Sequence, residues 1–168
     1  MAYEERQLVA FTVSSEPGNE RLALARVAEA VAGSGLAPDQ LERLKTAVAE
    51  ATMNAIEHGN HNNAALDVDI TVIDAGDSVS VLIVDQGGAH AATGDTAVEL
   101  PDLDKKLAGL QSPRGWGLFL IQNMVDEMDV FTDGDKHTVR LSMHTTSSGG
   151  GRIAEPRDPE GDARAEQM

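Results

Sequence analysis

Glu50, Asn54 and His58 stand four residues apart. At about 100° per residue, a helix carries such a series around by only about 40° per step, so the three side chains share one stripe. A carboxylate there can take a proton from an attacking hydroxyl, and an amide oxygen one turn on can ligate Mg²⁺, which takes few protein ligands beside phosphate and water. Both roles belong to one phosphoryl-transfer site. The same spacing also describes a solvated polar helix face that ends in a His. Asp85-Gln86-Gly87-Gly88 follows an apolar stretch. An Asp at a strand end can accept a hydrogen bond from an amino group such as that of adenine, while glycines let a backbone approach closely. Asp and Gly equally make an ordinary turn. Arg114-Gly115-Trp116-Gly117-Leu118 opens a helical pattern. The free N–H groups of a helix N-terminus attract phosphate and Arg114 would add a charge-assisted bond, the alternative being a Gly-rich hinge. Neither a dinucleotide-binding fingerprint nor a P-loop is present, because Leu120 occupies the third Gly position and no Lys follows a Gly.

The elements that must position these groups are legible from periodicity. Gln7 to Val13 reads as a strand that stops at Ser14-Ser15-Glu16-Pro17-Gly18. Apolar residues at helical spacing from Leu22 to Val31 predict a first helix. A second opens at Pro38-Asp39, carries Leu41, Leu44, Val48, Ala51 and Ala55 on its apolar face, and closes at Gly59-Asn60. Its Glu50 stripe borders that face, where a pocket wall would lie. Alternation over 66–72 and an apolar run over 79–84 predict a hairpin. The stretch 86–113 lacks periodicity and reads as a mobile lid or a surface loop with a short helix near Leu103 to Leu110. A helix after Gly115 and a closing hairpin, Val130 to Thr132 and Thr138 to Met143, complete the order β α α β β lid α β β. Met124, Met128 and Phe131 read as core. His58 and His61 are expected to be separated by a helix break at Gly59-Asn60, and His90, His137 and His144 have no partner in spacing.

Composition narrows the function classes. The 168 residues carry 13 Lys and Arg against 28 Asp and Glu, a formal charge of −15, which argues against binding a phosphate backbone. No Cys is present, so no disulfide, thiolate nucleophile or cysteine zinc site is available, in keeping with a reducing compartment. The acidic N-terminus lacks the pattern of a secretory signal and no run approaches a membrane span, so a cytoplasmic protein with no membrane partner is expected. Residues 6–144 read as one domain, and 145–168, with hardly any large apolar residue, as a disordered C-terminal tail.

Taken in order, Glu50-x-x-x-Asn54-x-x-x-His58, Asp85-x-Gly87 and Arg114-Gly115-x-Gly117-Leu118 resemble the N, G1 and G2 boxes of the GHKL ATP-binding superfamily of gyrase, histidine kinases and mismatch-repair ATPases. The size and the stretch Arg114 to Ile121 look most like the bacterial anti-sigma-factor serine/threonine kinases. The resemblance implies an α+β fold of the Bergerat type, a two-layer sandwich with a mostly antiparallel sheet, helices on one face and an ATP lid. It implies ATP and Mg²⁺ as cofactors, Glu50 as catalytic base and Asn54 as metal ligand. Asp85 would read adenine, Gly87, Gly115 and Gly117 would make backbone contacts, and Arg114 and Leu118 would complete the nucleotide site. His58 would contribute to pocket structure. The implied partners are a sigma factor, a phosphorylated anti-sigma-factor antagonist and a second copy of the chain. The alternative is a non-catalytic module of the same fold that uses nucleotide only to shape a partner surface. Two positions depart from the family pattern: Ala89 stands where a Gly is frequent, and Trp116 is bulky for its turn.

Overall fold

The computed structural model describes residues 4–87 and 113–145, with 113–116 described by their helical backbone. The chain runs through β1 (Arg6–Ser14), α1 (Glu20–Val31), α2 (Pro38–Asn54), a π-helical turn (Ala55–Gly59), β2 (Asp67–Asp74), β3 (Ser78–Asp85), α3 (Pro113–Met124), β4 (Glu127–Asp133) and β5 (Lys136–His144). The expected lid and its short helix, with Ala89 and His90, lie outside the described residues, as does the tail beyond Thr145.

The five strands form one antiparallel sheet in the order β1-β2-β3-β5-β4. Alternation decides which face of each strand is apolar, and the register aligns those faces into rows. One row crosses the whole sheet through Phe11, Ile70, Ile83, Val139 and Val130, and the next through Val9, Val72, Val81, Leu141 and Met128. Val9, Phe11 and Val13 share this inner face by strand parity, and a register shift between Gln7 and Val9 inserts one extra residue of β1 ahead of them. The helices cover it. Ala23, Val27 and Val31 of α1, Leu44, Ala47, Val48 and Ala51 of α2, and Ile121 of α3 join the inner strand residues in a single buried cluster. Complete burial of a side chain such as Ile70 contributes about 1.5–3 kcal/mol, so the paired rows and helix stripes are what hold the two layers together. The sequence-derived α+β sandwich, mostly antiparallel with helices on one face, is the fold observed.

Local signals set the helix ends. Pro38 occupies the first turn of α2, and Gln40 accepts the Ala37 N–H at 2.9 Å while donating to the His144 carbonyl at 2.8 Å, so the start of α2 is tied to the end of β5. Thr145 is buried and its N–H donates to the Asp77 carbonyl. On α1, the Arg26 guanidinium lies 4.4 Å from the centroid of the Phe11 ring and covers the β1 edge.

The second helical path closes at Gly59-Asn60 as expected, its last turn being a π-turn in which the Asn60 N–H donates to the Ala55 carbonyl, and His61 lies beyond it at φ 52. One expectation needs correction. Phe131 is not core: β4 begins at Glu127, Met128 and Val130 pack inward, and strand parity turns Phe131 outward at 45% exposure. Met124 and Met128 do pack against the core. Among the described residues no helix is long and apolar enough to cross a membrane.

Candidate functional site

Asp85 is the last residue of β3 and the deepest charged group in the described structure, 2% exposed. Burying a carboxylate is costly unless its oxygens are engaged. Oδ1 accepts the Gly87 N–H at 2.9 Å and Oδ2 lies 3.2 Å from His137 Nδ1. His137 is the residue directly opposite on β5.

The π-turn leans onto this carboxylate through glycine. A Cβ added to Gly59 would fall on the Asp85 carboxylate, and one added to Gly87 would fall on the Gly59 carbonyl. Only residues without a side chain allow three backbone segments to meet there. Asn60, 1% exposed, braces the junction: its Oδ1 accepts the Gln86 N–H at 2.8 Å, and its Nδ2 donates to Ser15 Oγ at 2.9 Å and to the Asp67 carbonyl at 3.2 Å. Ser15 Oγ donates onward to the Leu66 carbonyl at 2.7 Å. The ends of β1, β2 and β3 are thereby tied to the end of the helix.

Asn54 stands five residues before Gly59, at the last position of α2, and meets α3 instead. A Cβ on Gly117 would lie 3.0 Å from Asn54 Nδ2 and 3.3 Å from its Oδ1. Asn54 Nδ2 is buried with no hydrogen-bond partner among the described residues. An orphaned buried amide invites an external partner, and an amide can present either end to it. Glu50 lies one turn earlier on α2, half-buried, and His58 is half-buried in the π-turn.

The structure thus gathers Asn54, Asp85, Gly87 and Gly117 around the end of α2, with Glu50 on the same helix. Leu118 packs against the hydrophobic core. Arg114 and Gly115 lie on the helical backbone of α3, and the Arg114 side chain is outside the described residues. Sequence reading misses three members of the cradle: Gly59, Asn60 and His137. For His137 a signal existed, since His137, Val139, Leu141 and Met143 share strand parity, which puts the His on the buried face.

A model of the histidine kinase-like ATPase domain matches residues 13–143. The chain belongs to the histidine kinase-like ATPase family. An anti-sigma F factor of Geobacillus kaustophilus is 32% identical over 145 residues, spanning 82% of this chain and 91% of the relative. One from Anoxybacillus flavithermus is 32% identical over 135 residues, spanning 77% and 87%. Among solved structures, the RsbU and RsbW domains of a Mycobacterium tuberculosis protein share the fold at a TM-score of 0.56 and 18% identity, over 80% of this chain and 31% of that one.

For a histidine kinase-like ATPase domain the cradle is chemically suitable. The buried carboxylate of Asp85 offers acceptors to a base, glycines admit close backbone approach, and the unpartnered Asn54 Nδ2 is a donor that suits a phosphate oxygen, its Oδ1 being the atom that could ligate a metal. Among the described residues no three His, Asp or Glu side chains converge on a metal position.

Proposed function

We propose that this ATPase-family protein is an ATP- and Mg²⁺-dependent serine/threonine kinase that holds a sigma factor inactive and phosphorylates a Ser or Thr of an anti-sigma-factor antagonist. The observation that carries the reading is the end-to-end likeness to anti-sigma F factors, which spans 91% of the Geobacillus kaustophilus protein. The cradle supports it. Asp85 accepts a hydrogen bond from the adenine amino group, Gly87, Gly115 and Gly117 admit close backbone contact, and the guanidinium of Arg114 supplies a charge-assisted bond to phosphate. Leu118 anchors the start of α3 under the site. Asn54 is the protein ligand for Mg²⁺, which when bound neutralises phosphate charge. Glu50 takes the proton of the substrate hydroxyl as it attacks the γ-phosphorus. The protein is cytoplasmic in this reading, with residues 6–144 as the working domain and 145–168 as an appended tail.

The test is label transfer. The protein is incubated with Mg²⁺, γ-labelled ATP and a panel of candidate antagonist proteins from the same genome, and sigma-factor capture is measured in parallel. Label on one antagonist, at a Ser or Thr, is the expected result. Nucleotide-dependent sigma capture with no antagonist labelled would replace the kinase by a non-catalytic binding module.

A further inference from the structure

The inner faces of β3 and β5 oppose each other as a ladder. Three rungs are apolar, Val79 with Met143, Val81 with Leu141 and Ile83 with Val139, and the fourth is Asp85 with His137. The polar rung is as enclosed as the others, its side chains 3% and 8% exposed. Its carboxylate already accepts the Gly87 N–H on Oδ1, and Oδ2 faces His137 Nδ1 at 3.2 Å. A ring nitrogen that faces a carboxylate oxygen at this distance serves as its hydrogen-bond donor.

We infer that His137 is a positioning and specificity-determining residue: its Nδ1–H holds the Asp85 carboxylate as an acceptor-only wall, which takes a purine with an amino group at C6 and refuses one with a keto oxygen there. The inference rests on the ATP-binding reading above. A 6-aminopurine presents N–H donors to this wall, whereas a 6-ketopurine presents an oxygen that needs a donor. A carboxylate offers acceptors only, so its direction decides which edge of a base it can meet. Here both oxygens are held from within the protein, Oδ1 by the Gly87 N–H and Oδ2 by His137 Nδ1, so the acceptors keep one direction. Rejection follows because a buried acceptor facing another acceptor is left unpaired on both sides. The Asp85 carboxylate supplies recognition, and His137 supplies its fixed direction.

The experiment compares ATP, GTP and ITP binding by titration calorimetry for the parent, His137→Val and His137→Asn, with thermal melts of each and ¹⁵N spectra of the imidazole rings of the free parent. Asn places an amide nitrogen where Nδ1 lies, whereas Val removes the donor. The parent is expected to prefer ATP and to show His137 protonated on Nδ1. His137→Val should lose at least about tenfold of the preference, the worth of one hydrogen bond to a charged group, and His137→Asn should recover most of it. If His137→Val does not fold, His137→Gln, whose longer chain displaces the donor, takes its place. A donorless variant that is folded and keeps the parental ratio, or a parent with Nδ1 unprotonated, overturns the role of His137 alone. A parent that binds no nucleotide overturns the ATP-binding reading and this inference with it.

Discussion

Gly117→Ala separates the two demands placed on α3, because the same methyl group helps the helix and hinders the site. In a helix interior Ala is favoured over Gly by about 0.8–1.0 kcal/mol, since Gly loses more backbone entropy on folding. Against this stands the new Cβ, 3.0 Å from Asn54 Nδ2, which obliges that amide to retreat by a few tenths of an ångström. Asn54 Nδ2 has no hydrogen bond to give up among the described residues and lies at the free end of its side chain, so the retreat costs an off-rotamer strain of about 0.5–1.5 kcal/mol. The two contributions nearly cancel, and the melting temperature should stay within about 3 °C of the parent. Nucleotide binding should not be spared: with the Asn54 amide displaced, affinity for ATP in the presence of Mg²⁺ is expected to fall at least about tenfold, the worth of a lost contact to a charged ligand. Calorimetric titration with and without Mg²⁺ measures this. The companion variant Asn54→Ala should lose the same Mg²⁺-dependent affinity, and Gly117→Ala added to it should cost little more, because the two changes act on one contact. A fall of ten degrees in melting temperature would show that the methyl meets unyielding structure. An unchanged Mg²⁺-dependent affinity would remove Asn54 as the metal ligand.

Gly59→Ala should behave in the opposite way, since its methyl meets a buried carboxylate that cannot yield; about 1–3 kcal/mol of overpacking predicts a melting temperature lower by roughly 3–10 °C, and a parental melt would contradict the close approach. Asn60→Ala strips the Gln86 N–H and Ser15 Oγ of a buried partner, and denaturant titration should show a loss of about 2–4 kcal/mol with the slope unchanged. Glu50→Gln keeps the shape and removes the base: binding of ATP should stay near the parental value while antagonist phosphorylation slows at least about a hundredfold, and transfer at the parental rate would clear Glu50 of that role.

What was legible in the sequence followed periodicity. The apolar stripe of α2, with Leu44, Val48 and Ala51, and the alternation of β2 are local patterns, and each element sits where its pattern predicts. Asp85 by itself reads equally as a turn residue, and only the order of the three motifs singled it out. His137 was not legible, because its partner lies 52 residues away and the pairing depends on β3–β5 register, which no local pattern encodes. Parity alone would have placed it inward without saying beside what. Phe131 misled for a related reason: an aromatic side chain suggests core, yet with Met128 and Val130 inward, parity leaves it outside. Asn60 looked like a helix terminator, and its buried bonds to β1, β2 and β3 arise only after those strands have assembled.

The π-turn at Ala55–Gly59 acts as a phase shifter. In unbroken α-helix Gly59 would point about 140° away from Asn54, five steps of about 100° less a full turn. Five-residue hydrogen bonding, seen where the Asn60 N–H reaches the Ala55 carbonyl, instead brings residues five apart nearly above one another. Asn54 can then face α3 while Gly59, a short step further along nearly the same side, settles on Asp85. Between the amide and the glycine the chain is therefore counting residues, and the number of them sets the angle between the Asn54 and the Asp85 parts of the cradle. Side-chain changes at Glu57, which is exposed, leave that angle alone. Insertion or loss of a single residue in the turn would rotate one half of the site against the other while every functional side chain remained present.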